Sequence, residues 1–263
     1  MKSISLITTS FNSAETILDT IHSVNLQKYS EIEHIVIDGG SKDATLDIVR
    51  QFGQRITKVI SEPDKGIYDA YNKGIDQASG DIIGFINSDD FYCSDHVIDN
   101  VACVFEDPEI DACYADLVYV NPEHVETVER FWKSKPITKR NLQNGFIPAH
   151  PTVFVRKSVY DKVGKFDLNY KYAADYEMLL RMFHEFQIKS EYVPQVWVRM
   201  RSGGHTGGNY KSILDQNEEI LQARRKRDIR CTSAKFYGLK IIDRVAQRLR
   251  APFVNAPNIE LIR

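Results

Sequence analysis

Asp81-Ile-Ile-Gly-Phe-Ile-Asn-Ser-Asp-Asp90 is the stretch that decides how this 263-residue chain reads. Its first half is almost wholly apolar, as a strand covered on both faces must be. Its second half sets two adjacent carboxylates at the end of that strand. Upstream, Ile4–Thr9, Glu33–Asp38 and Lys58–Ser61 have the same strand texture. Helical spacing fills the intervals between them. Asn12-Ser13 is placed to cap a helix with Ile17, Leu18, Ile21 and Val24 on one face. Ser41 is placed to cap a second with Leu46, Ile48, Val49 and Phe52, and a third runs from about Gly66 to Ala78, ending at Ser79-Gly80. Strands alternating with helices in this way predict an α/β fold built on a parallel, doubly wound sheet.

Downstream the pattern changes. A helix over Ser94–Phe105 is followed by two strands, Ala112–Val120 and Glu126–Trp132, with a turn at Asn121-Pro122. Lys139–Asn144 reads as a short helix, Thr152–Val155 as a strand, Ala173–Phe186 as an amphipathic helix and Val196–Met200 as a strand. The glycine-rich loop Ser202-Gly-Gly-His-Thr-Gly-Gly208 separates this body from a helical tail.

Composition narrows the function. With 43% hydrophobic and 27% charged residues the chain is an ordinary globular one that can bury a core. No apolar run reaches the length of a spanning helix. Met1-Lys-Ser-Ile-Ser-Leu reads as a first strand rather than a signal peptide. Cys93, Cys103, Cys113 and Cys231 show no zinc-like spacing, and reduced thiols in a cytoplasmic protein are expected. The near-neutral total conceals a split: residues 1–205 hold 22 basic and 30 acidic side chains, residues 206–263 hold 12 and 6. An acidic body argues against nucleic acid as a partner.

In an open parallel sheet the ligand sits at the carboxyl ends of the strands. Here those ends carry Thr8-Thr-Ser10, Asp38, Ser61-Glu-Pro-Asp64 and Asn87-Ser-Asp-Asp90. Neither a GxGxxG nor a GxxxxGK[ST] motif is present, which disfavours a dinucleotide site and a P-loop. Two neighbouring carboxylates repel each other, and a hard divalent cation such as Mg²⁺ or Mn²⁺ resolves that repulsion. Capping of the next loop is the plainer use of Asp89 and Asp90.

Together with Thr8-Thr-Ser-Phe-Asn12, Val36-Ile-Asp-Gly-Gly-Ser-Lys-Asp-Ala-Thr45 and Glu62-Pro-Asp-Lys-Gly-Ile-Tyr-Asp-Ala-Tyr-Asn-Lys-Gly74, the Asn87-Ser-Asp-Asp90 stretch resembles the family 2 glycosyltransferases of bacterial polysaccharide biosynthesis. The likeness covers residues 1 to about 95 in order. In the second half it is limited to Phe166-Asp167 and Ala174-Asp-Tyr-Glu177, and it stops at the tail. The resemblance implies a GT-A fold: a Rossmann-like, mostly parallel sheet with helices on both faces, followed by a helical C-terminal tail. It implies a nucleotide-sugar-binding half at 1–100, an acceptor and catalytic-base half at 101–208, and a basic helical extension at 209–263.

By the same resemblance Thr8, Ser10 and Asp38 line the pocket for base and ribose. Asp38 suits that place because a carboxylate accepts a ring N–H, although an Asp-Gly turn explains it equally well. Asp64, Lys65 and Gly66 close over the nucleotide, and Asp69 and Asn72 form the helix wall below the sugar. Asp89 and Asp90 match the family's ribose and metal positions, with Asn87 where a third Asp is usual. Asp175 matches the general base of inverting transfer, preceded here by Ala174 instead of Glu; a first-turn carboxylate at a helix N-terminus is the structural alternative. Glu177 and Asp167 stand in reserve. His205 lies where the family has a segment over the diphosphate, within reach of a metal or phosphate. His150, Trp132 and Trp197 read as packing residues.

The implied activity is inverting transfer from a nucleotide sugar, a UDP-sugar above others, to a hydroxyl of a glycan or lipid-linked glycan, assisted by Mn²⁺ or Mg²⁺. A non-catalytic sugar-binding module is the rival, motivated by Asn87 and Ala174; a nucleotidyltransferase ranks last for want of glycine in residues 8–13. The tail reads as a helix over Ile213–Arg230, ending in Arg224-Arg-Lys-Arg227, and an amphipathic one over Phe236–Leu249. The latter has Phe236, Leu239, Ile242, Val245 and Leu249 on one side and Lys240, Arg244 and Arg248 towards the other. An anionic membrane surface, the body of the protein, or a second copy in a homodimer are its candidate partners. A cytoplasmic enzyme, peripheral on the inner face of the membrane, is the expected setting.

Overall fold

A computed structural model describes residues 1–203, 210–229 and 232–259. The first third alternates as expected: β1 (Ile4–Ser10), α1 (Ile17–Asn25), β2 (Ile32–Asp38), α2 (Thr45–Phe52), β3 (Ile56–Ser61), α3 (Ile67–Gln77) and β4 (Ile82–Phe85). A three-residue strand β5 (Asp90–Tyr92) follows directly, then α4 (Val97–Val104), β6 (Ala112–Val120), β7 (Val128–Trp132) and α5 (Lys139–Gln143). The remainder comprises β8 (Phe154–Arg156), α6 (Lys157–Val163), α7 (Ala174–Leu180), β9 (Ser190–Arg201), α8 (Tyr210–Arg225) and α9 (Ser233–Arg250).

Among the described residues the strands form one nine-stranded sheet in the order β3-β2-β1-β4-β8-β6-β9-β5, with β7 paired to β6. The first four strands are parallel. Antiparallel pairing begins at β8 against β4, and β9 returns parallel to β6. Helices cover both faces. Ile7, Ile35, Tyr71, Phe85 and Tyr114 pack under α3, α6, α7 and α8; Leu6, Ile82, Phe105 and Trp197 pack on the opposite side under α4, with α1 and α2 beside them. The two-sided burial of β1 and β4 is what their unbroken apolar runs require.

Two expected caps are used otherwise. α1 begins only at Ile17, because Asn12 adopts a left-handed backbone (φ 49°) and its Oδ1 accepts from the Lys42 N–H at 2.9 Å. Ser41 does not cap α2; its hydroxyl donates to Asp38 at 2.5 Å. α6 carried no clear signal in the sequence, and β9 extends well beyond the expected Val196–Met200. Cys93 and Cys113 are buried thiols, both pushed up by that burial. Among the described residues no helix is long and apolar enough to cross a membrane.

The tail is partly body. Arg224 is buried on α8 and donates to the carbonyls of Leu142 (3.1 Å) and Gln143 (2.7 Å) and to the Tyr176 hydroxyl (3.0 Å). Arg227 pairs with Glu177 at 2.5 Å. Half of the Arg224–Arg227 basic run is therefore a set of internal anchors.

Candidate functional site

The parallel register places Ser10, Asp38 and Ser61 side by side at the ends of β1, β2 and β3. Neighbours in one row point the same way, so both hydroxyls reach the central carboxylate. Asp38 accepts from Ser10 Oγ (3.1 Å), Ser41 Oγ (2.5 Å), Ser61 Oγ (2.7 Å) and the N–H groups of Gly40 (3.0 Å) and Ser41 (2.9 Å). Burial pushes its carboxyl up, but these bonds outweigh burial and hold it below its ordinary range. With five donors on two oxygens, Asp38 holds the loop after β2. Thr8 is fully buried within β1 and its hydroxyl meets His34 Nε2 at 2.9 Å.

The surface above this floor belongs to a residue that sequence reading passed over. Phe11 follows β1 with 62% of its surface exposed, unusual for a large aromatic at a strand end. A Cβ on Gly39 would lie 2.7 Å from Asp64 Oδ2 and 3.3 Å from the Phe11 ring, so only glycine lets the three meet. Asp64 Oδ1 also accepts the Gly66 N–H at 2.8 Å, and Gly66 adopts φ +113°. Asp69 Oδ2 accepts the Lys65 N–H at 3.1 Å and lies 3.7 Å from Lys73. Thus Asp64, Lys65 and Gly66 form a loop beside Phe11 that Asp69, in the first turn of α3, braces. Asn72 does not join it: both ends of its amide clasp the Phe166 backbone, each at 2.9 Å. The two bonds hold the 166 loop on α3 and leave one donor and one acceptor place of the amide open.

At the end of β4 the paired aspartates divide. Asp90 is fully buried, while Asp89 is only partly so. Asp90 Oδ2 accepts from Asn87 Nδ2 at 3.3 Å, and its Oδ1 has no partner among the described residues. Burial, then the neighbouring Asp89, push the Asp90 carboxyl well above its ordinary range; burial also raises Asp89. Asn87 turns its carbonyl away, accepting the Tyr71 hydroxyl at 2.5 Å. Arg201, at the end of β9, donates to the Asp89 carbonyl at 2.7 Å and pairs with Asp19. It was not legible as a site neighbour because β9 reaches this edge only through pairing with β5.

A divalent cation fits this pair. Two carboxylates raised by burial, one with a bare oxygen, lose their mutual repulsion when a cation binds. Among the described residues no cluster of three or more His, Cys, Asp or Glu could hold a metal. Two carboxylates with phosphate oxygens and water are, however, how Mg²⁺ is commonly held. His205 lies outside the described residues.

Asp175 opens α7 on the other side of an aromatic block. Its Oδ1 accepts from the Tyr68 hydroxyl at 3.0 Å and from the Tyr176 N–H at 2.8 Å. Tyr68 and Tyr71 stand one turn apart on α3 with rings 6.0 Å apart, and Tyr71 also packs on Phe85 and His150. Burial first, and Asp175 next, raise both phenols well above their ordinary range, so they stay neutral donors. His150 is buried in the block, and burial lowers it. The start of α7 is held from the tail: Glu219 on α8 accepts the N–H groups of Lys171 (2.9 Å), Tyr172 (2.8 Å) and Ala173 (2.8 Å). Nothing in the sequence near Asp175 announced that support. Glu177 is engaged by Arg181 and Arg227, Asp167 by Asn169, and Trp197 packs on Phe154 in the core.

Comparison with known proteins gives a consistent result. The profile of the family described as Glycosyl transferase family 2 matches residues 5–164. A PGL/p-HBAD biosynthesis glycosyltransferase of Mycobacterium bovis is 28% identical over 217 residues, covering 81% of this chain and 80% of that protein. Among solved structures, S. aureus TarS 1-349 in complex with UDP-GlcNAc superposes with a TM-score of 0.65 at 17% identity, over 97% of this chain and 73% of that one. The mannosyltransferase PcManGT from Pyrobaculum calidifontis, in complex with GDP-Man and Mn²⁺, gives 0.64 at 15% identity, over 95% and 72%. These two show the fold, that of the GT-A glycosyltransferases.

Proposed function

The chain belongs to glycosyl transferase family 2, and from that premise we propose that it catalyses inverting transfer of a sugar from a nucleotide sugar to a hydroxyl of a glycan or lipid-linked glycan. The observation that carries the reading is the pair of tyrosines on α3: Tyr71 holds Asn87 beside the aspartate pair, and Tyr68 holds Asp175. One helix thus spans a donor end and an acceptor end, as a transfer between two substrates requires.

At the donor end, in residues 1–100, the nucleoside stacks on Phe11 above the floor made by Ser10 and Asp38. The Asp64–Gly66 loop, braced by Asp69, closes beside it. Asp89 and Asp90 are the residues that would hold Mn²⁺ or Mg²⁺ with the diphosphate. The cation supplies positive charge against the leaving diphosphate. A UDP-sugar is the donor we favour; the solved neighbours carry UDP-GlcNAc in one case and GDP-Man in another.

At the acceptor end, in residues 101–208, Asp175 takes the proton of the attacking hydroxyl. As the hydroxyl oxygen bonds to the anomeric carbon, the bond from that carbon to the diphosphate oxygen breaks, and the diphosphate leaves with the electron pair. Attack from the face opposite the leaving group inverts the anomeric centre. Tyr68 fixes one oxygen of Asp175; the other has no hydrogen bond among the described residues and is the one offered to the hydroxyl.

The test is release of nucleoside diphosphate from a panel of UDP-, GDP- and dTDP-sugars with Mn²⁺ or Mg²⁺, with and without a hydroxyl acceptor. Asp175→Asn should abolish acceptor-dependent turnover and leave donor binding nearly intact. Turnover at the wild-type rate in Asp175→Asn would remove Asp175 from the mechanism, and an absence of binding by every donor would overturn the donor site.

A further inference from the structure

α9 is packed back to front. At 3.6 residues per turn Phe236, Lys240, Asp243 and Gln247 form one row. Phe236 and Gln247 of that row are buried. Lys240 Nζ donates to Asn217 on α8 at 2.5 Å, Gln247 Oε1 accepts from Arg130 on β7 at 2.6 Å, and Gln247 Nε2 donates to Asp243 at 2.7 Å. The inner face is mostly polar. The opposite row, Ile241, Ile242, Val245 and Leu249, is 63%, 66%, 51% and 68% exposed, and Phe253 just beyond the helix is 88% exposed. The sequence alone grouped Phe236 and Leu239 with Ile242, Val245 and Leu249; tertiary packing turns Phe236 inward and leaves the aliphatic row facing out.

The borders of that row are basic. Arg244 and Arg248 continue the line of Lys240 along one edge, and Lys235 and Arg250 stand on the other. All four of these border residues are exposed, and none forms an ion pair among the described residues. Asp243, the one acid in α9, is exposed on the side away from the aliphatic row, where its carboxylate accepts from Gln247. Aliphatic side chains in the middle and long cationic ones at both edges suit a surface that is apolar inside and anionic at its rim. A second copy docked by the same face would set cations against cations.

We propose that this face of α9 docks the protein on an anionic lipid bilayer, with Ile241, Ile242, Val245 and Leu249 entering the acyl boundary and Lys235, Arg244, Arg248 and Arg250 meeting phosphate headgroups. The inner face of α9, opposite the docked row, abuts β7 through Gln247. Arg130, which binds Gln247, stacks over Tyr119 at 4.1 Å, and Tyr119 feels the charges of both Asp90 and Asp175. The proposal stands on exposure and charge, and does not depend on the transfer chemistry.

The test is flotation of the full chain with vesicles of phosphatidylcholine alone and of phosphatidylcholine with about one-third phosphatidylglycerol. Wild type should float with the anionic vesicles and bind the neutral ones at least about tenfold more weakly. Ile242→Glu/Val245→Glu should cut anionic binding about tenfold or more, and Arg244→Gln/Arg248→Gln should weaken it and flatten its salt dependence. Because all four positions are exposed, the thermal transition and nucleoside diphosphate release in solution should be unchanged. Equal flotation with both vesicles, no flotation, or wild-type flotation by the Glu pair each overturns the proposal. A concentration-dependent dimer that the Glu pair abolishes, without flotation, assigns the face to a second copy instead.

Discussion

The Tyr68 hydroxyl donates to Oδ1 of Asp175 at 3.0 Å, across 107 positions of sequence. The phenol is buried and stays neutral, so it is a permanent donor and fixes the carboxylate by one oxygen. Removing it should free the base to rotate without touching the donor end. Tyr68→Phe is expected to lower kcat by about tenfold and leave the KM for the nucleotide sugar within about twofold. Steady-state kinetics at saturating acceptor checks this; a change confined to KM would assign Tyr68 to donor binding.

Asp90 makes a prediction of opposite signs. Its buried carboxyl is raised, so the metal-free fold carries an unfavourable charge that a neutral isostere lacks. Asp90→Asn should therefore melt no lower than wild type without metal. In the same variant the rise in melting temperature on adding Mn²⁺ with UDP should vanish, and a chelator should abolish wild-type turnover. Thermal melts with and without Mn²⁺ decide both points.

Phe11 is the exposed ring beside Gly39 and Asp64. Stacking of a base on an aromatic contributes about 2 kcal/mol, which is roughly thirtyfold in Kd. Phe11→Ala should weaken UDP binding by that order, Phe11→Tyr should keep it, and kcat at saturating donor should be little changed. Calorimetric titration with UDP measures the first two.

Asn72, expected on the sugar-facing wall, clasps the Phe166 backbone. Asn72→Ala should cost about 2 kcal/mol of stability for two lost hydrogen bonds in a partly buried place. Donor affinity of the folded variant should match wild type. Denaturant unfolding and UDP titration on the same sample separate stability from binding.

His34 is fully buried against Thr8 and burial lowers it to about 4. Between its unfolded value of 6.5 and about 4 the unfolded chain takes up a proton that the fold refuses. Stability should therefore be complete above pH 6.5 and fall by about 3 kcal/mol as pH drops towards 4. His34→Gln should lose that part of the acid sensitivity, as denaturant midpoints across the range would report.

What the sequence determined by itself was whatever periodicity and strand-end chemistry carry locally. Four strands with helices between them, and polar groups at their carboxyl ends, were legible from residues 1 to 90 alone. So were the aspartate pair closing β4 and the carboxylate opening α7. Tertiary structure decided which of those groups are free to act. Asp38, Asn72 and Thr8 meet Ser10, Ser61, Phe166 and His34, partners that only the fold brings to them. Glu219 and Tyr68 reach the start of α7 from opposite ends of the chain, and the inward turn of Phe236 sets which side of α9 meets solvent. The reason is the same throughout. A polar atom has a fixed number of hydrogen-bonding places and a helix one buried face, and residues distant in sequence determine how both are filled.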